Sequence, residues 1–146
     1  MNVNAAPPLT GLARRLVQDG ILEEQVARSA VQDARARKLH FVAHVVESGL
    51  ANSMRVAESA SDEFGTPLLD LSAFNLDTCP KNLVDVKLVE KHRTIPLFKR
   101  GNRLYIAVSD PTNLFALDEI KFHTGISTEA VLVDETSLAR AMQKFL

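Results

Sequence analysis

The sequence has little of several residue types that mark particular classes of protein. One of its 146 residues is cysteine, none is tryptophan, and aromatic residues make up 5%. A single cysteine excludes an internal disulfide framework and any metal site built from several cysteines. Cys79 is followed by Pro80 in a turn-like stretch, and no general base is placed beside it by the sequence. We therefore do not expect it to act as a nucleophile.

The chain also lacks a strong net charge and a long apolar run. It has 17 basic and 18 acidic residues, a formal net charge of -1, which gives no general attraction to nucleic acid. No apolar run is long enough to span a bilayer, and no charged leader precedes an apolar one, so the sequence predicts a cytoplasmic protein. A hydrophobic fraction of 46% favours a folded globular chain over a disordered one.

The first half of the chain predicts a repeated pair of helices. Residues 1–8 are small, polar and rich in proline at their end, which indicates a disordered lead-in. A helix that ends at Gly20 and a second helix over residues 23–36 follow, and a shift of 29 residues superposes this pattern on the next segment. The superposed pairs are Leu12 and Phe41, Leu16 and Val45, Val17 and Val46, and Gly20 and Gly49. Two helical pairs predict an all-helical lobe over residues 9–64.

The second half, residues 65–146, predicts a small sheet. Apolar runs at 95–98 and 104–108 flank a polar connection that contains Gly101, which is typical of a β-hairpin. Residues 126–133 predict a third strand, and helical patterns lie before, between and after the strands. The predicted fold class is therefore α+β, an amino-terminal helical lobe followed by a small sheet with helices packed on one face.

No residue pattern indicates catalysis or metal binding. The chain has no glycine-rich run that ends in Gly-Lys-Ser or Gly-Lys-Thr, which a P-loop requires to surround phosphates. His40 and His44 are four residues apart and fit one helix face, but no third ligand is placed at metal-site spacing. We expect no catalytic, metal-binding or cofactor-binding residue in this chain.

Four segments resemble the amino-terminal domain of the type II secretion and type IV pilus ATPases; they are residues 68–71, 95–97, 104–113 and 122–125. The doubled helical unit resembles the MshEN module at the front of many of these ATPases. The resemblance covers residues 9–146. It implies a non-catalytic regulatory and docking region of a homohexameric motor at the inner-membrane base of a pilus machine. ATP and magnesium would bind only in a catalytic part beyond Leu146.

MshEN modules bind cyclic di-GMP, and their repeats open with Arg-Leu-Gly and end with Gln. The positions that match those arginines, glycines and glutamines hold other residues in this chain, namely Gly11 and His40, Ala13 and Val42, and Ala34 and Glu63. Val42 would crowd a backbone contact, and Glu63 would place a negative charge near an anionic ligand. The resemblance therefore implies a lobe that keeps the fold without the nucleotide contacts, and a direct cyclic di-GMP sensor remains the alternative.

In some bacteria, ATPases of this pattern are bound at their amino-terminal region by PilZ, a small adaptor protein. The resemblance makes a PilZ-type adaptor the expected partner, with the inner-membrane platform of the pilus as a partner of the full-length protein. A structural spacer that docks the motor to that platform is a third possibility. Docking needs an exposed apolar patch. The candidate residues, each of which fits a core position equally well, are Leu9, Leu12, Leu16, His40, Phe41, Val42, His44 and Val45.

Overall fold

A computed structural model describes residues 8–146, so the predicted lead-in lies outside the described residues except for Pro8. The first elements are four helices: α1 (Gly11–Gln18), α2 (Glu24–Ala36), α3 (Phe41–Glu47) and α4 (Ser53–Phe64). Two short 3-10 turns, Leu71–Ala73 and Leu76–Thr78, then lead to α5 (Val86–His92). The remaining elements are β1 (Ile95–Arg100), β2 (Arg103–Val108), α6 (Leu114–Thr124), β3 (Ser127–Leu132) and α7 (Glu135–Phe145).

The predicted helical repeat is confirmed. A shift of 29 residues carries the bounds of α1 and α2 onto those of α3 and α4 to within one residue. Gly20 and Gly49 close the first helix of each pair with φ of +72° and +75°. In the next position the N–H groups of Ile21 and Leu50 donate to carbonyls five residues back, at 2.9 and 3.0 Å. Both turns are Schellman motifs, which a left-handed glycine permits without steric cost.

The apolar faces of the four helices form one core. Leu16, Ala27, Val45 and Ala60 are fully buried in it, because small and branched side chains alternate where the helices cross. Leu132, the last residue of β3, also packs into this core and joins it to the sheet. The helices therefore lie directly against the α+β part of the chain.

The sheet contains three strands in the order β1, β2, β3. Strands β1 and β2 form the predicted antiparallel hairpin, while β2 and β3 are parallel because α6 crosses over between them. Ile95, Leu97, Leu104 and Ile106 are fully buried in the sheet core. Helices followed by a mixed three-stranded sheet with helices confirm the predicted α+β class. Whether residues 9–64 and 65–146 fold as separate units stays a prediction.

One local prediction was wrong, the start of α5, and the stretch that precedes it forms turns. The apolar stretch at 68–71 makes one strand-like bridge, from Leu68 to Leu132, and then turns into 3-10 geometry. The Asp70 carboxylate accepts the Ser72 N–H at 3.1 Å, which favours a turn over continued pairing. The sequence pattern predicts a helix that opens near Pro80 or Asn82. The structure begins α5 only at Val86, because Asp85 provides the cap, its side chain accepting the Lys87 N–H at 2.8 Å.

Candidate functional site

A cleft of about 480 Å³ lies where α1 and α2 meet the turn that follows β2. The turn is held by Asp110, whose Oδ1 accepts the backbone N–H of Thr112 at 2.9 Å and its Oγ1 hydroxyl at 2.6 Å. Such an Asx turn fixes the backbone after the strand has ended. The cleft is therefore built jointly by the helical pair and by the sheet.

The floor and the walls of the cleft are mainly apolar. Ala13 and Ala34 are buried at its floor, where their small side chains leave space. Leu39, whose side chain is 40% exposed, and the half-buried Phe41 form a wall. Arg35, on the exposed end of α2, is the cation that lines it. This lining suits apolar contacts better than an array of polar ones.

The positions that match the family's nucleotide-binding motif divide into two groups. Those of the first repeat, Gly11, Ala13 and Ala34, all line the cleft. Those of the second repeat do not: Val42 is buried in the helical core, and Glu63 is paired with Arg15 at 3.4 Å. The third of them, His40, reaches the Lys91 carbonyl with Nε2 at 3.2 Å. The motif positions of the first repeat thus contribute no polar side chain to the cleft.

The structure separates the predicted docking residues into core and surface. Four of them, Leu12, Leu16, Val42 and Val45, belong to the helical core, because the apolar faces of the paired helices cover each other there. The other four, Leu9, His40, Phe41 and His44, are exposed or half-buried. Leu12 and Phe41 line the cleft, whereas His40 and His44 line the neighbouring basic cleft described next. Whether any of them contacts a partner stays a prediction.

Sequence reasoning missed Leu39, Val31 and the 110–112 turn as cleft residues. The sequence feature that could have identified Leu39 as a cleft residue is its position directly after the end of a helix. Lys38 closes α2 with φ of +56°, and the Leu39 N–H then donates to the Ala34 carbonyl at 2.8 Å. An apolar residue in that position packs back over the helix end. The sequence of the 110–112 turn gave no such signal, because only tertiary packing brings this turn beside α2.

A second, more basic cleft of about 410 Å³ lies beside the first, and Arg93 is its central residue. Arg93 closes α5 with φ of +48°, which is uncommon for a side chain other than glycine. Its guanidinium pairs with Glu135, which is 1% exposed, and lies 3.7 Å from Glu47 of α3. Ser109 also donates to Glu135, at 2.8 Å. Arg93 therefore joins α3 and α5 to the start of α7.

An ion pair on α5 and α6 lies near this junction. His92 Nε2 lies 3.2 Å from Glu119 Oε2, and Lys91 Nζ lies 3.4 Å from the other carboxylate oxygen. Burial acts to raise the pKa of Glu119, but the hydrogen bond from His92 and the charge of Lys91 hold it below its usual value. The carboxylate therefore remains ionised and keeps α6 against α5.

The described residues give little basis for catalysis. Within residues 8–146 no cluster of three or more His, Cys, Asp or Glu side chains could hold a metal ion. Burial raises the pKa of the Cys79 thiol, with a smaller opposing effect from Lys81, so the thiolate form is disfavoured. In the same described range, no helix is both long and apolar enough to cross a membrane.

The sequence pattern of the MshEN domain matches residues 64–146, which is more than half of the chain. The chain belongs to the MshEN family. The matched residues of this MshEN chain cover the sheet and its helices. The chain is 39% identical over 142 residues to the type IV pilus assembly ATPase PilB of Pseudomonas aeruginosa, covering 97% of this chain and 25% of PilB. It thus spans about a quarter of the length of its PilB relatives.

Two solved structures share the fold. The N-terminal domain of XpsE has a TM-score of 0.73 at 19% identity, over 94% of this chain and 98% of XpsE's. MshE, solved with cyclic di-GMP, has a TM-score of 0.66 at 21% identity, over 94% of this chain and 100% of MshE's. The fold described above is therefore shared with the N-terminal domain of XpsE and with MshE.

Proposed function

We propose that this chain is the regulatory and protein-docking domain of a type IV pilus assembly ATPase and that its cleft receives an adaptor protein of the PilZ type. The observation that carries the proposal is the apolar lining of the cleft. Leu39 and Phe41 are partly exposed beside the small residues Ala13 and Ala34, in a place where the family's motif positions offer no polar group. Partly exposed apolar side chains around a depression suit an inserted apolar anchor from a protein partner.

The wider role follows from the relatives. Because PilB of Pseudomonas aeruginosa is about four times as long as this chain, ATP hydrolysis, the magnesium ion and the hexameric ring would belong to the remainder of the motor. The domain would lie on the cytoplasmic side at the inner-membrane base of the pilus. There it would control pilus extension, and so twitching motility, by responding to its partner.

Direct binding of cyclic di-GMP is the second candidate, and one comparison favours it. MshE has been solved with this nucleotide, whereas the names of the relatives compared above specify no adaptor. The first-repeat motif positions also gather in one cleft. The side chains argue the other way, since a guanidinium fork at Gly11 and an amide at Ala34 are both lacking. A spacer that docks the motor to its membrane platform would need neither ligand.

Calorimetric titration of the chain with the PilZ-type adaptor of the same organism, and separately with cyclic di-GMP, tests the proposal. The critical variant is Leu39→Asp, and its matched control is Leu50→Asp. Both leucines follow a residue with positive φ at a helix end, their side chains are 40% and 39% exposed, and Leu50 does not line the cleft. We expect Leu39→Asp to weaken adaptor binding at least about tenfold, equal to about 1.4 kcal/mol, and Leu50→Asp to leave it unchanged.

The nucleotide arm of the experiment separates the candidates. A ligand that binds only the folded chain must stabilise it, by about 2.7 kcal/mol at one hundred times its dissociation constant. Binding of the adaptor without any stabilisation by cyclic di-GMP supports the proposal. Binding of the nucleotide without the adaptor replaces the proposal with the second candidate. If the chain binds neither the adaptor nor cyclic di-GMP, the remaining candidate is a structural spacer that docks the motor to its membrane platform.

A further inference from the structure

The two outer strands of the sheet differ in how their free edges are protected. Strand β1 contains Pro96, which has no N–H to offer, and its pairing is interrupted by an irregularity between Pro96 and Phe98. Proline and a bulge are common devices that prevent a sheet edge from pairing with another chain. Strand β3 has neither device and carries one charged residue, Glu129. Five of its six residues are half-buried, so this edge is only partly covered.

The backbone groups that face outward from β3 can be identified from its last residue. The Leu132 N–H donates to the Pro67 carbonyl at 2.9 Å and its carbonyl accepts the Leu69 N–H at 2.8 Å, both on the side away from β2. Successive residues of a strand alternate in direction, so the groups of Thr128 and Ala130 also point outward. Among residues 8–146, no backbone partner is present for these two residues on that side. The outer edge of β3 is therefore unpaired over residues 127–130, the first four of the six residues of the strand.

A groove of about 560 Å³ runs along these unpaired groups. Its lining includes Phe64, at the end of α4, and Leu114, at the start of α6, which are 37% and 63% exposed. The groove is closed at one end, because Pro67 already pairs with Leu132 there. Pro67 cannot extend that pairing to the Ala130 carbonyl, because proline has no backbone N–H to donate.

We infer that the free edge of β3 binds an extended segment of a partner protein, which joins the sheet as a further strand. Only a polypeptide backbone supplies alternating donors and acceptors at strand spacing for Thr128 and Ala130. Apolar residues at every second position of the segment contact Phe64 and Leu114. Glu129 on this edge already pairs with Arg103 of β2, Nη1 to Oε1, at 2.7 Å, so its charge places no requirement on the segment.

A second copy of the chain fits this edge less well than a foreign segment. The free edge of β3 lies in a groove whose lining includes residues of the 64–67 and 111–117 segments. Two copies would bring these segments against each other before their edges could pair, whereas a single extended segment carries no such walls. The occupant is therefore a different segment, and self-pairing is an outcome that the test below detects.

The test uses the 146-residue chain and a synthetic probe, the capped hexapeptide Thr-Val-Lys-Val-Thr-Val. Amide hydrogen exchange is followed by NMR. In the free chain we expect the amides of Thr128 and Ala130 to exchange at least about tenfold faster than those of Glu129 and Val131, which point toward β2. With millimolar peptide, we expect the exchange of Thr128 and Ala130 to slow at least about tenfold.

Three variants sharpen the assignment. Ala130→Pro removes an outward N–H without removing a ladder bond to β2, so the sheet tolerates it while peptide protection is lost. Leu114→Asp should weaken peptide binding at least about tenfold. Phe122→Asp, on the same helix at an 87% exposed position outside the groove, is its matched control and should have no effect.

Several results overturn the inference. Protection of Thr128 and Ala130 in the free chain would mean that the edge is already covered, and protection that grows with chain concentration would mean self-pairing. A peptide that is N-methylated at every residue cannot donate backbone hydrogen bonds. If it slows exchange of Thr128 and Ala130 as much as the unmodified peptide does, the peptide binds through apolar contacts and does not join the sheet as a strand. Absence of any effect at millimolar peptide would mean that the edge does not accept a strand. None of these results depends on the cleft beside α1 and α2.

Discussion

Two helix N-termini meet where the helical part of the chain contacts the sheet part, and Asp134 is the residue that joins them. Asp134 caps α7, its Oδ2 accepting the Ser137 N–H at 3.1 Å. The same oxygen accepts the Ser53 hydroxyl from the first turn of α4 at 2.8 Å. Ser53 Oγ in turn accepts the Thr136 N–H at 3.0 Å. We therefore predict that Asp134→Ala costs far more stability than loss of an ordinary helix cap.

The magnitude follows from the contacts that are lost. A helix cap contributes about 1 kcal/mol, and a hydrogen bond to a buried charged group adds about 1.5–3 kcal/mol. Together these give a loss of about 3 kcal/mol, which for a chain of this size lowers the melting temperature by roughly 6–12 °C. Urea unfolding measured by circular dichroism gives the free energy directly.

Asp70→Ala is the control, because Asp70 makes the same type of turn bond to Ser72 at an exposed position. We expect it to cost less than about 1 kcal/mol. A double-mutant cycle of Ser53→Ala with Asp134→Ala should give a coupling of about 1 kcal/mol or more, as contacting residues do. Equal losses from the two aspartate variants, or additive losses in the cycle, would refute the reasoning.

The same contact predicts a pH dependence. Burial acts to raise the pKa of Asp134, but the hydrogen bonds from Ser137 and Ser53 outweigh it and hold the pKa below its usual value. A carboxylate with a lowered folded-state pKa stabilises the chain fully above its unfolded value of about 3.9, and this stabilisation is lost as the pH falls through the folded pKa. The difference between wild type and Asp134→Ala should therefore shrink as the pH is lowered through that window.

The remaining predictions concern three residues with positive φ. Arg93→Ala leaves the buried Glu135 without its cation and should cost about 3–5 kcal/mol in urea unfolding, with more than half recovered when Glu135→Gln is added; no recovery would contradict the pairing. Lys38→Gly should raise stability by about 0.5–1 kcal/mol, because glycine adopts φ of +56° without strain. Gly49→Ala should lower stability by about 1–2 kcal/mol, since φ is +75° although no atom lies within 4 Å of an added Cβ. Thermal unfolding measures the effects of Lys38→Gly and Gly49→Ala. Shifts of the melting temperature in the same direction for these two variants would contradict the argument from positive φ.

The sequence could predict the elements of this fold because each has a local cause. Glycine at the helix ends and apolar residues at helical spacing specify both helical pairs, and alternation around Gly101 specifies the hairpin. Periodicity identifies an apolar helix face but not what covers it, so Leu12 and Val45 could be assigned equally well to a core or to a docking patch. The structure shows that neighbouring helices cover them.

The cleft and the open edge could not be predicted from the sequence, because both depend on how distant segments meet. The turn at 110–112 was recognisable as the end of a strand, but nothing in it indicates that α1 and α2 lie beside it. The run at 126–133 was recognisable as a strand, but whether it is central or at an edge is set by the order of pairing. Glu135 is buried in the first turn of α7, and only the fold brings its partners Arg93 and Ser109 to it.

The cleft and the β3 groove share one structural element, the turn at 110–112. Thr112 lines both surfaces, and its position is set by its two hydrogen bonds to Asp110. A ligand that shifts this turn at one surface must change the affinity at the other, and by the same factor in both directions. If both surfaces are occupied as proposed, saturating edge peptide should change the adaptor's dissociation constant by about fivefold or more.

Asp110→Ala tests this coupling, because it removes both hydrogen bonds that hold Thr112. Since Asp110 also lines the cleft, the variant is compared with itself, with and without the peptide. Adaptor titrations with and without the peptide should differ in the wild-type chain and converge in the variant. Equal dissociation constants in the wild-type chain would show that the turn is rigid and that the two surfaces act independently. A coupling that survives unchanged in Asp110→Ala would have to pass through the Ser53 and Asp134 contact between the helices instead.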